Sequence, residues 1–234
     1  MNLPFMPAAK REITRALKYI NKERGTNMNL QLEQDLRKCA DMLDSWCVQN
    51  DKDDKATRFV YKTETLAECL RQIQLRGVST NYALHRWYNY HTSLYCEQLF
   101  CDYGAIHDEN CFNHDVDIYI DGIPFDVKLT RYPKALSGNT TCDLTTREGK
   151  DFMIRWMYRN QSQGSRKQMV NRLYVICDGK DKDELLRMKS DFTLLRKVIE
   201  EFMKSADSSN LNRITIQDNG TTHTLYSDAV IARY

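Results

Sequence analysis

Residues 114–133 read HDVDIYIDGIPFDVKLTRYP. Val116, Ile118 and Ile120 alternate with Asp115, Asp117, Tyr119 and Asp121. Beyond Gly122, Ile123, Phe125, Val127 and Leu129 alternate with Pro124, Asp126, Lys128 and Thr130. An apolar residue at every second position marks a strand with one buried face. Asp121-Gly122 between the two runs is a favoured two-residue hairpin turn, because both positions tolerate positive φ. Such a turn sets the register: Ile120 opposite Ile123, Ile118 opposite Phe125, Val116 opposite Val127. One face is then apolar throughout. On the other, Asp117 stands across from Asp126, with Cβ atoms roughly 4.5–5.5 Å apart, and Lys128 faces Asp115.

Like charges directly opposed destabilise a plain sheet. A divalent cation between them removes the conflict, because hard cations such as Mg²⁺ take carboxylate oxygens. Lys128 shares the face with Asp126, placed to stabilise developing negative charge or to orient a water. A bulge in the first strand would bring Asp115 to that face in place of Asp117.

Asp117 followed by Asp126-Val127-Lys128 resembles the core motif of the PD-(D/E)xK nuclease superfamily, the restriction-endonuclease-like fold. Val116 stands where a Pro usually precedes the first Asp, and Asp126 takes the place of the commoner Glu. The resemblance implies Mg²⁺, with Mn²⁺ as a substitute, held by Asp117, Asp126 and the Val127 carbonyl, and Lys128 acting on the attacking water. It also implies a carboxylate from the helix before the first strand; Glu97 fits by position, as a further metal and catalytic residue. Gln, Arg or Lys near the scissile phosphate are implied as well: Arg131 and Lys134 just past the motif, Gln161 and Arg166 in RNQSQGSRK before the next strand. The implied activity is endonucleolytic cutting of DNA, as in restriction or phage-defence enzymes, with a homodimer or a defence-system partner as the associations to expect. The alternative is a catalytically inactive nucleic-acid-binding or protein-interaction module of the same fold.

The rest of the chain reads as a frame for this hairpin. Residues 7–50 have helical spacing interrupted at Gly25-Thr26-Asn27, and Gln49–Lys55 reads as a polar loop. A short strand at Arg58–Tyr61 and a helix from Glu64 to Arg76, ended by Gly77, follow. Ser79 reads as the N-cap of a long helix to about Tyr103, with Trp87, His91, Leu94, Gln98 and Cys101 sharing a face or its edge. A helix over 146–160, a strand over 172–177 buried on both faces, a helix over 183–205 and two edge strands, 213–217 and 222–231, complete it. The fold class is therefore α/β, a mixed sheet flanked by helices. Residues 79–234 would be the core and 1–78 an N-terminal helical region packed on it.

Composition bounds the function. Net charge is only +2, so any nucleic-acid surface must be a local concentration of cations. Eight cysteines form no CxxC pair. Met1–Pro7 is not followed by a long apolar run, and no stretch reaches the roughly 18 apolar residues of a membrane span. Reduced thiols in a cytoplasmic protein away from membranes are the expectation. Cys96, Cys101, His107, Cys111 and His114 lie near enough in sequence to raise zinc, but their spacing fits no standard finger.

Overall fold

The computed structural model describes residues 30–45, 48–110, 115–139, 141–160 and 168–234. The chain divides into two compact units, 1–83 and 84–234. The boundary falls within the first turns of a long helix.

The described residues of the N-terminal unit are mainly helical. Its described part holds α1 (30–41), α2 (Asp51–Ala56), a 3-10 helix (Arg58–Lys62) and α3 (Leu66–Arg76). Leu36, Cys39, Val60, Leu66, Cys69 and Ile73 form its core. Two readings are corrected here. The polar stretch after Gln49 is helical, because Asn50 caps it by accepting from the Asp53 N–H at 2.9 Å. The expected strand at Arg58–Tyr61 is instead the 3-10 helix. Gly77 ends α3 in the left-handed conformation, φ 61°, as expected of a C-cap glycine.

The second unit is a six-stranded mixed sheet in the order β1-β2-β3-β4-β6-β5. The strands are β1 (Ile106–His107), β2 (Ile118–Ile120), β3 (Ile123–Arg131), β4 (Arg172–Cys177), β5 (Arg213–Asp218) and β6 (Thr221–Ala232). β3, β4 and β6 run parallel; the other pairings are antiparallel. β4 is buried along its whole length. β6 lies between β4 and β5, so only β5 is an edge strand of that pair.

Long helix α4 spans Thr80–Asp102; α5 is Arg147–Asn160, α6 Lys182–Ser190 and α7 Phe192–Met203. α5 packs Met153, Ile154 and Tyr158 against Tyr174, Ile176 and Ala229 of the sheet. The residues grouped on one face of α4 divide between core and surface. Trp87 and His91 are buried, but Leu94 and Gln98 are exposed, and Tyr88, Tyr95, Leu99 and Phe100 take the inner positions. Tyr95 stacks on Phe192 at 3.4 Å, and the Tyr88 hydroxyl donates to the Leu186 carbonyl, tying α4 to α6 and α7. The single helix expected over 183–205 is two. Asp191 breaks it and caps α7, accepting from the Leu194 N–H at 2.8 Å.

Gly149, buried in the first turn of α5, is a glycine required by close packing rather than by a positive φ. A Cβ there would meet the Asp143 carbonyl oxygen at 2.0 Å. In an open helix Gly→Ala gains up to about 1 kcal/mol. Here the sign reverses: Gly149→Ala is expected to lower stability by roughly 1–3 kcal/mol, read as an earlier urea midpoint at unchanged slope.

Candidate functional site

The hairpin has the register its sequence dictates. Ile120 pairs with Ile123, Tyr119 with Pro124 and Ile118 with Phe125. Asp121 and Gly122 both have positive φ, 49° and 77°, as a primed turn requires. The ladder ends at Ile118, three residues shorter than the alternation implies. Beyond it the Val127 N–H, which a longer strand would give to a main-chain carbonyl, donates to Asp117 Oδ2 at 2.7 Å. The expected Val116–Val127 and Asp115–Lys128 pairs are therefore not made. Val116 turns to a cavity, and Asp115 is exposed and accepts from Gln168 Nε2 at 2.8 Å. The competition between Asp115 and Asp117 is thus decided in geometry: Asp117 faces the cavity.

That cavity, about 300 Å³, is walled by Glu97, His107, Val116, Asp117, Asp126 and Lys128 among others. It stands at the small end of the roughly 300–1,000 Å³ typical of ligand sites. α4 supplies Glu97, β1 His107, the segment leading into β2 Asp117, and β3 Asp126 and Lys128. Asn171 fixes this end of the sheet. Its carbonyl accepts from the Asp126 N–H at 3.0 Å, its Nδ2 donates to the Pro124 carbonyl at 3.0 Å, and its Oδ1 accepts from the Tyr226 N–H at 2.9 Å.

Asp126 is held from two sides. Lys128 Nζ pairs with Oδ1, and Arg172 Nε donates to Oδ2 at 2.8 Å. Arg172 is the register partner of Asp126 across the parallel β3–β4 pair, which puts both side chains on one face. Its guanidinium also donates to Gln168 Oε1 at 3.1 Å and lies 5.5 Å from the centre of the Tyr158 ring. A line of contacts thus runs from Asp126 through Arg172 and Gln168 to Asp115.

Glu97 and Asp117 are less well compensated. Burial first, then the charge of Asp117, pushes the Glu97 carboxyl up to about 7, against the pull of His107, whose Nε2 lies 3.5 Å from Glu97 Oε2. Burial, and to a smaller degree Asp126, raises Asp117 too, while the Val127 N–H opposes the rise. A carboxyl whose folded pKa is raised contributes most below its unfolded pKa, and that contribution is lost as pH climbs through the folded value. For Glu97 the window runs from its ordinary value of 4.5 to about 7. Glu97→Gln should therefore leave acid stability unchanged and flatten the fall in melting temperature between those pH values. A parallel fall in both proteins would remove Glu97 as its source.

The donor chemistry suits a hard divalent cation: four carboxylates, those of Glu97, Asp108, Asp117 and Asp126, line one cavity. Among the described residues, however, no three His, Cys, Asp or Glu side chains are gathered as a ready ligand set. Both Asp126 oxygens are engaged by cations, and one Asp117 oxygen by an amide. A cation drawing on Asp126 would compete with Lys128 and Arg172 for its oxygens.

The structure thus brings Glu97, Asp117, Asp126 and Lys128 together. Val127 contributes its N–H to Asp117, while its side chain is buried in the core. Arg131 and Lys134 do not line the cavity; Arg131 lies at the far end of β3, roughly 10 Å along from Lys128 at 3.3 Å per residue. Gln161 and Arg166 lie outside the described residues, as do Cys111 and His114 of the cysteine–histidine group. No disulfide joins the six described cysteines to one another, and no described helix is long and apolar enough to cross a membrane. Arg172 and His107 are the residues the motif did not announce. Arg172 had a signal: a cation opening an otherwise apolar buried strand requires a buried anion. No protein-family profile matches the chain, and neither a comparison with curated proteins nor one with solved structures finds a match.

Proposed function

We propose that the chain is a metal-dependent endodeoxyribonuclease of the PD-(D/E)xK type, a cytoplasmic enzyme of restriction or phage defence. The observation that carries this reading is the convergence of Glu97, Asp117, Asp126 and Lys128 from three separate elements on one small cavity. Mg²⁺ or Mn²⁺, held by Asp117 and Asp126 with the Val127 carbonyl and Glu97, would supply positive charge to the phosphate and favour ionisation of a nearby water. Lys128, released from Asp126, directs that water at phosphorus and stabilises the charge that develops on the phosphate oxygens. Glu97, once ionised, would hold that cation through a water or help bind a second, and the proton the attacking water loses passes to solvent. Arg172 acts through Asp126, holding one of its oxygens so that the other faces the cavity. Arg131 and Lys134 would contact DNA away from the cut, and a homodimer would set two such sites on a duplex.

The test is cutting of supercoiled plasmid and of single-stranded DNA in Mg²⁺, in Mn²⁺ and in EDTA. Cutting that needs the metal supports the reading. No cutting of either substrate, with no metal binding by calorimetry, sinks it. A second reading has one observation in its favour, the double engagement of Asp126 by Lys128 and Arg172. A site locked in that way would be a nucleic-acid-binding module without catalysis, and would bind DNA equally well in EDTA and in Mg²⁺ without cutting it.

A further inference from the structure

The N-terminal unit carries a second concave feature, a groove of about 230 Å³ lined by Lys55, Ala56, Arg58, Phe59, Lys62 and Arg76. Four of these six residues are cations, all of them exposed, and no carboxylate lines the groove. Two of the three acids of α2 point to partners outside the groove: the Asp53 carboxylate accepts from Asn50 Nδ2 at 2.9 Å, and Asp54 accepts from the Tyr82 hydroxyl at 2.7 Å. Among the described residues none of the four cations has an acidic partner in an ion pair. Arg76 is held in place by Gln72, to which its Nε donates at 3.0 Å, and by the Phe59 ring 5.2 Å from its guanidinium centre. A chain with a net charge of only +2 thus gathers four cations at one small groove.

We propose that this groove binds the phosphodiester backbone of DNA, which rests on the nuclease reading above for its choice of nucleic acid. Two arginines offer planar forks that match phosphate oxygens, and two lysines add point charges. Phe59 is buried beneath them and so is closed to base stacking. The contact is to phosphate alone and independent of sequence. The N-terminal unit, whose described residues contribute nothing to the cavity at Asp126, thereby gains a task, anchoring substrate.

The experiment is fluorescence anisotropy of a labelled duplex of about 20 base pairs with the full chain in EDTA, where no cutting occurs. Each phosphate contact adds about 0.9 to the slope of log affinity against log salt. Arg58→Gln/Lys62→Gln should therefore lower that slope by about two and weaken binding about tenfold or more at low salt. Lys55→Gln serves as a single-charge variant, expected to lower the slope by about one. Lys180→Gln/Lys197→Gln, exposed lysines of the other unit, should change neither quantity. The proposal is overturned if the groove variants bind as the wild type does, or if the control pair loses as much. It is equally overturned if the wild type binds neither duplex nor single-stranded DNA, including the case in which it binds phosphatidylserine vesicles instead. Cutting with unchanged binding would remove the groove and keep the nuclease; binding lost in the groove variants of a chain that never cuts would do the reverse.

Discussion

Asp126→Ala is expected to abolish DNA cutting and to destabilise the fold at the same time. On activity the loss should be roughly 10³-fold or more, the scale for a group acting at a reaction centre. On stability the cause is Arg172. The Arg172–Asp126 pair is 2.8 Å long with side chains only 6% and 3% exposed. Removing one partner of such a pair costs about 3–5 kcal/mol, because the other charge is left buried alone. A motif-level reading expects the alanine variant to keep its fold; the geometry says otherwise, so lost cutting in that variant alone would not identify a catalytic residue. Two companions separate the effects. Asp126→Asn keeps the volume and a hydrogen bond to Arg172, and should stay folded while cutting is lost. Asp126→Ala/Arg172→Met removes both charges and should recover most of the melting temperature without recovering activity. Metal-dependent cutting at the wild-type rate by Asp126→Asn would sink the catalytic assignment. An alanine variant as stable as the wild type would sink the role of Arg172.

How far the sequence reaches is clear from these same elements. The hairpin was legible because three signals agree: period-two alternation, an Asp-Gly turn and matched apolar pairs. The buried strand β4 and the Gly77 stop of α3 were legible for similar local reasons. What was lost has physical causes. α2 buries no residue, so it leaves no periodic trace; its only announcement is the Asn50 cap. The break at Asp191 is hidden because apolar spacing runs on through it from Met188 to Leu195, and only the cap's side-chain bond overrides that run. β1 is two exposed residues and carries no pattern. In the site, the trio Asp117, Asp126 and Lys128 was readable from alternation, yet the grip on it was not. Asp117 reaches the Val127 N–H only because the ladder stops at Ile118, and Arg172 meets Asp126 only through a parallel pairing across some forty intervening residues. Long-range register of that kind has no local signature.

Lys128→Met separates catalysis from metal binding, and the expected effects run in opposite directions. Lys128 is 47% exposed, and its pair with Asp126 reaches solvent on that side. An exposed pair of this type contributes about 0–1 kcal/mol, so the variant should melt within a few degrees of the wild type. Cutting should fall by roughly 10²–10³, as when a donor to a developing oxyanion is removed. Metal affinity should hold or rise, because Lys128 Nζ occupies the Asp126 oxygen that a cation would need, and methionine does not compete for it. Calorimetric titration with Mn²⁺ beside the plasmid assay reads both quantities on one preparation. The two must also diverge in pH: Glu97 has to ionise before it can hold a cation, so affinity in both proteins should rise as pH passes about 7. If Lys128→Met loses metal binding along with cutting, Lys128 is part of what shapes the site rather than a group that acts on phosphate. If it cuts as fast as the wild type, the chemistry at β3 does not need a cation of its own.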